Sequence, residues 1–263
     1  MAVPSAPRAR GRAHEKAVRG ALRLRRQREA RHQAGRIVVS GDYSRVPNPA
    51  CAPFEPVPCD IFVTEATFGL PVFRHPDPAA EVAKLLASVQ ANPDRAHLIG
   101  AYALGKAQRV IMLLRQAGYD GPVHIHGALQ KLCDYHLSQG VPLGDLRPAT
   151  ITRGGKADFA GAIVIAPPSA FAATWAQRFP DPVICFASGW MQVRARARQR
   201  GVELPLVISD HVDWDDLTRT ITDLNPAETW VTHGREDAVI RWCALQGRMA
   251  RPLRLVGYEE DAE

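Results

Sequence analysis

From Gly35 onward the chain reads as short apolar runs separated by longer amphipathic stretches, the alternation of an α/β protein built on parallel sheets. Strands are predicted at 36–40, 60–64, 96–99, 122–125, 162–166, 182–186, 204–208 and 229–232. Helical periodicity falls between most of them, at 78–90, 105–117, 129–138, 213–224 and 235–246, with Pro or Asp near several starts. Residues 43–58 hold five prolines and no period, so they are expected to wrap the surface as an ordered loop.

Charge changes this picture only at the front. The chain carries a formal net charge of +6, but ten Arg and one Lys against two Glu lie within residues 1–36, and the remainder is slightly acidic. A basic arm can add phosphate affinity through counterion release. This one alternates Arg with Ala, Pro and Gly, so residues 1–35 are expected to be a disordered or misassigned leader. Five scattered cysteines, none spaced as CxxC, suggest neither a disulfide framework nor a thiolate zinc site and fit a reducing, cytoplasmic setting. No apolar run approaches the roughly 18–20 residues that span a bilayer.

In open α/β sheets, ligand-handling groups collect past the C-terminal ends of strands. Four predicted strands here run into a strong polar group: VVSG into Asp42, IFVT into Glu65, LVIS into Asp210 and His211, and WVT into His233. Two His, two Asp and one Glu form a hard-metal or acid/base set. Singly, such an Asp is usually a helix cap or turn residue and such a His more often a structural residue than a ligand; four such endings together weigh as much for a site.

The segments SGDY, TEATFG, ISDHVDW and VTHGRED, in that order, resemble successive motifs of β-CASP metallo-β-lactamase nucleases. Between the second and third, GAYALGKAQRVIMLL and FASGW are similar to the cap domain inserted in that family. The likeness runs from Arg36 to Tyr258 and is strongest to the ligase-associated DNA exonuclease branch, also described as mRNA 3′-end-processing-factor-like. It implies a partial metallo-β-lactamase fold at 36–70 and 200–263, interrupted by a β-CASP-like cap at 71–199. It further implies that Asp42 bridges two zinc ions, that His233 ligates the second, that His211 protonates the leaving oxygen, and that Glu65 orients His211. Asp210 would tune that histidine. The implied activity is zinc-dependent trimming of DNA 3′ ends during repair, with nucleic acid as partner, DNA before RNA, and a DNA ligase with associated repair proteins nearby.

One part of the family pattern is missing. Upstream of Asp42 stand only His14 and His32, with no HxHxDH cluster. The HxH of His124 and His126 lies in the cap, lacks a following Asp-His, and reads as structural. Zinc takes three or four protein ligands, so two leave the paired site incomplete. The chain by itself is therefore expected to be impaired or inactive, with an uncovered apolar sheet face, as a truncated or misassigned gene product whose N-terminal half lies upstream would be.

Two other readings compete. GAYALGKA, with Gly100, Gly105 and Lys106, fits a phosphate-binding loop except that Ala107 replaces the metal-binding hydroxyl. Under the nuclease reading Lys106 instead faces nucleic-acid phosphates. Alternatively the chain is a non-catalytic nucleic-acid-binding remnant, in which Arg194, Arg196, Arg198 and Arg200, at spacing two, line one face of a strand along a phosphate backbone.

Overall fold

Along the chain run β1 (Arg28–His32), β2 (Gly35–Val39), β3 (Ile61–Ala66), α1 (Pro78–Ala91), β4 (His97–Gly100), α2 (Lys106–Gln116), β5 (Val123–Ile125), α3 (Gly127–Ser138) and β6 (Leu146–Pro148). There follow β7 (Ile163–Ala166), β8 (Val183–Ala187), α4 (Arg194–Gln199), β9 (Leu204–Leu206), α5 (Trp214–Leu224), β10 (Glu228–Gly234), α6 (Glu236–Leu245) and β11 (Ala250–Pro252). This is a computed structural model, and it describes residues 28–32, 35–150, 159–172 and 174–253.

The helix starts follow from capping chemistry. Asp77 accepts a hydrogen bond from Ala79 N at 2.9 Å, with Pro78 opening α1, and Asp213 accepts one from Asp216 N at 2.9 Å at the start of α5. His126 caps α3 in the same way, its Nδ1 accepting from Ala128 N at 3.1 Å, which agrees with a structural reading of the HxH pair.

The strands gather into two sheets, as expected of an α/β protein with parallel pairing. The five-stranded sheet has the order β1-β2-β3-β10-β11, with only β1 antiparallel to its neighbour. Alternation along these strands turns Val38, Phe62, Ala66 and Val231 to one face, where Leu217 and Ile221 of α5 and Val239 and Cys243 of α6 cover them. The opposite face carries Ile37, Val39, Ile61, Val63 and Trp230; the central Ile61 and Val63 are buried, whereas Val39 is exposed.

The six-stranded sheet is wholly parallel, in the order β6-β5-β7-β4-β8-β9. Ile99, Ile125, Ile163, Ile165 and Cys185 face α1, α2 and α3, while Leu98 and Val164 pack on Phe159 and Phe179. Both faces are covered, which accounts for continuous apolar runs such as IVIA in β7.

Two expected boundaries move. β1 lies within the stretch read as a leader, because Arg28–His32 pairs residue for residue with β2. Leu204–Leu206, read with the C-terminal half, instead pairs with β8 through Cys185↔Leu204 and Ala187↔Leu206. The passage from one sheet to the other therefore falls in the loop 207–213. Residues 1–27 and 254–263, including Tyr258, lie outside the described residues.

Candidate functional site

The C-terminal ends of the two sheets meet at this loop. Glu65 is the penultimate residue of β3 and is 3% exposed, so burial of its charge demands partners. It has three: Tyr43 N donates to Oε1 at 3.0 Å, Thr67 Oγ1 donates to Oε2 at 2.6 Å, and His211 Nδ1 approaches Oε2 at 2.6 Å. A carboxylate only accepts, so Nδ1 carries the proton and Nε2 is the ring nitrogen left for outside chemistry.

Asp42, just past β2, is largely exposed and brings Oδ1 to 3.8 Å from His211 Nδ1. Asp42, Glu65 and His211 together can place one ligand atom each within 4.8 Å of one another. Burial taken alone would lower the pKa of His211, and Lys106 adds to that; the hydrogen bond and charge of Glu65, helped by Asp42, outweigh both and raise it. When the ring is protonated, its second proton is on Nε2.

His233 stands apart from this trio. Thr232 pairs with Glu65 and Gly234 with Ala66, so His233 is the extra residue of a β-bulge, with φ of 54°. It is exposed at the strand end next to Glu65, and its Nδ1 lies 3.2 Å from Thr232 Oγ1. Gly234, at φ 125°, is required here, since a Cβ would collide with Ala66 O.

As for a metal, Glu65 is committed to three hydrogen bonds, which leaves Asp42 and His211 Nε2 in the cluster and His233 beside it. The expected ligand pair, Asp42 and His233, falls short of the three or four protein ligands that hold zinc. Among the described residues Asp42, Glu65 and His211 form the group that could hold a metal ion, with His233 outside it.

Lys106 does not face nucleic acid. It is 4% exposed, donates from Nζ to Ile208 O at 2.8 Å and lies 3.2 Å from Asp210 Oδ2. Its ammonium is thereby engaged with the 207–213 loop. Asp210, expected to tune His211, is held by Lys106 and by Arg109 Nη1 at 3.1 Å. Arg194, Arg196 and Arg198 lie on α4, not on a strand. At 3.6 residues per turn, Arg194 and Arg198 share one face, while Arg196 stacks over Trp190 at 3.8 Å and Arg200 over Phe186 at 4.9 Å.

Several participants escaped notice in the sequence. Tyr43 and Thr67 support Glu65, Arg109 grips Asp210, and His75 sits edge-on to Phe68 with centroids 4.6 Å apart. Only Arg109 left a trace: a charged side chain one turn after Lys106 on an otherwise apolar helix face.

No protein-family model matches the chain. A probable DNA ligase of Opitutus terrae is 24% identical over 203 residues, which is 76% of this chain and 19% of that protein; the chain thus spans about a fifth of the relative's length. A crystal structure of a protein of unknown function from Enterococcus faecalis superposes with a TM-score of 0.50 at 12% identity, covering 88% of this chain and 59% of the other. That likeness concerns the fold alone.

Proposed function

We propose that the chain carries the acid/base part of a DNA phosphodiesterase of the β-CASP metallo-β-lactamase type, with His211 as general acid. The observation that carries this reading is the 2.6 Å contact between His211 Nδ1 and the buried Glu65, placed where the strand ends of both sheets converge. Glu65 fixes the ring and stabilises its protonated form. Water attacks phosphorus as the P–O bond to the leaving oxygen breaks, and Nε2 donates its proton to that oxygen, so that the products are a phosphomonoester and a neutral alcohol. Asp42, exposed beside the ring, offers a carboxylate to a metal ion, and His233 offers an imidazole from the neighbouring strand end. Zinc is the cofactor that the resemblance implies, but two donors do not complete its ligand set, and no step of this mechanism passes through it.

The five-stranded sheet with α5 and α6 corresponds to the metallo-β-lactamase part, and the parallel six-stranded sheet to the inserted cap. DNA as substrate, and a setting in ligase-linked repair, draw support from the name of the Opitutus relative.

The test is cleavage of DNA labelled at its 3′ or 5′ end, with Zn²⁺ or Mn²⁺ added, by the wild type, His211→Ala and Asp42→Ala. Slow release from 3′ ends, lost in His211→Ala, is expected, and Asp42→Ala with and without added metal reports whether that carboxylate serves an ion. Cleavage that persists in His211→Ala would remove the histidine from the chemistry.

A second reading, a non-catalytic nucleic-acid-binding protein, is favoured by one observation: Arg194 and Arg198 are exposed on the same side of α4. It predicts DNA affinity that His211→Ala leaves unchanged and no cleavage with any metal.

A further inference from the structure

Arg109 and Lys106 are charged side chains sunk into the fold, 1% and 4% exposed, one turn apart at the start of α2. Both reach across about a hundred residues of sequence to the same short loop. Lys106 Nζ donates to Ile208 O at 2.8 Å and pairs with Asp210 Oδ2 at 3.2 Å. Arg109 Nη1 donates to Ser209 O, at short range, and pairs with Asp210 Oδ1 at 3.1 Å. Each of the three residues that precede His211 is therefore held by a cation from α2.

The hold continues into His211 itself. Its N–H donates to Ser209 Oγ at 3.0 Å, and that hydroxyl lies 3.0 Å from His211 O. On the far side Asp213 is anchored twice, by Asp216 N and by His75 N, each at 2.9 Å. Two cations buried with one shared carboxylate are a poor source of stability, because the cost of taking them out of water competes with their attraction. They are, however, well suited to holding a backbone in one place. The Nδ1 to Glu65 distance of 2.6 Å joins a side chain on the five-stranded sheet to a loop leaving the six-stranded one, so a small displacement of the loop would break it.

We propose that Lys106 and Arg109 are positioning residues: through Ile208, Ser209 and Asp210 they set the His211 imidazole against Glu65 and direct Nε2 outward, without touching substrate. This rests on the reading of His211 as the general acid, and it adds that the helical layer of the cap controls that acid. Rotation or translation of α2 would then be felt at the ring.

The experiment uses the whole chain with ¹⁵N-labelled histidine. Long-range proton–nitrogen spectra at fixed pH report the hydrogen-bonded Nδ1 proton of His211, assigned by its loss in His211→Ala. The variants are Lys106→Met and Arg109→Lys, with Arg115→Lys as control. Arg115 is also a structural guanidinium, but it binds the carbonyls of Leu143, Tyr119 and Gly121, away from His211. Lys106→Met and Arg109→Lys are expected to shift or broaden the His211 signal, and Arg115→Lys to leave it in place. Where the wild type cleaves DNA, the first two should lower kcat by roughly 10–100-fold with KM little changed, as a misplaced catalytic group does. Should Lys106→Met fail to fold, Arg109→Lys decides, since it keeps the buried charge while shortening the reach. An unmoved His211 signal in folded Arg109→Lys overturns the proposal. Because the spectra need no activity, they decide the positioning whether or not the wild type cleaves DNA, and the cleavage assay bears on the nuclease reading alone.

Discussion

His211 Nδ1 and Glu65 Oε2 lie 2.6 Å apart, although 146 residues separate them in the chain and each belongs to a different sheet system. The pair is asymmetric: Glu65 is buried and fully engaged, while His211 is a third exposed. The carboxylate therefore determines the state of the ring. In Glu65→Gln the hydrogen bond can survive but the charge is gone, leaving burial and Lys106 to act on the imidazole against Asp42 alone. The His211 pKa should then fall, measured by NMR titration of chain treated with a chelator. A titration identical to the wild type would mean that the contact carries no electrostatic weight. Any phosphodiesterase activity should drop about 10²–10⁴-fold in His211→Ala, the range general acids supply.

His75 behaves in the opposite way. Burial, assisted by Lys106, His211 and Arg109 and opposed by Asp213, lowers its pKa to about 4. In the unfolded chain the same group titrates at about 6.5. Between these values the unfolded state binds more protons than the folded one, so stability is full above about pH 6.5 and is lost as pH falls toward about 4. On the order of 3 kcal/mol is involved, from 1.36 kcal/mol per pKa unit. His75→Phe, which keeps an aromatic ring against Phe68, should flatten the dependence. Urea unfolding of wild type and variant at pH 7.5 and 4.5 checks this, and equal pH losses in the two proteins would assign the effect elsewhere.

The fold was more legible in the sequence than the site. Period-two alternation and buried runs located eight strands within one or two residues at most of their ends, because the sheet faces demand apolar side chains whatever the topology. Aspartates at 77 and 213 marked helix starts for a local reason, the capping bond to the first turn. What failed to show were short edge strands such as Leu146–Pro148 and Ala250–Pro252, whose residues are half exposed and whose pairing is set by neighbours far away in sequence. The four arginines at spacing two suggested a strand, yet α4 forms because alternating Arg and Ala are both good helix formers and Ala197 meets Phe186 and Met191 at the right point of a turn. Glu65 and His211 could be singled out at strand ends, but their meeting is a property of two sheets brought together. Lys106 looked like a phosphate ligand because a sequence does not reveal which way a residue at a helix start points.

Gly234 ends β10 at φ 125°, and Ala66 O, which it faces, already accepts hydrogen bonds from Gly69 N and Arg235 N. A methyl group here strains the backbone and presses on the residue next to Glu65. Gly234→Ala should cost about 1–3 kcal/mol, the range for a side chain forced into a glycine-only region. Chemical denaturation provides the number, and NMR of His233 shows whether the bulge has moved. A loss below 0.5 kcal/mol on the order-of-magnitude scale of neutral surface changes would mean that the bulge relaxes freely.

Arg194 and Arg196 differ in employment despite lying two residues apart. Arg196 stacks its guanidinium over Trp190 with 3.8 Å to the ring centroid, an arrangement that contributes about 0.5–1 kcal/mol at an exposed site. Arg194, one turn before Arg198, is exposed and on another side of α4. If DNA passes over this helix, Arg194 and Arg198 meet its phosphates while Arg196 stays stacked on Trp190. Replacing the first two with Ala should weaken binding of single-stranded DNA and reduce the slope of log affinity against log salt by about 2, near one counterion per lost contact, with unfolding unchanged. Arg196→Ala should instead lower stability and leave the slope near the wild-type value. Fluorescence anisotropy over a salt series separates the two effects. An unaltered slope in the double variant would place the DNA path away from α4 and leave these arginines as a solvated surface.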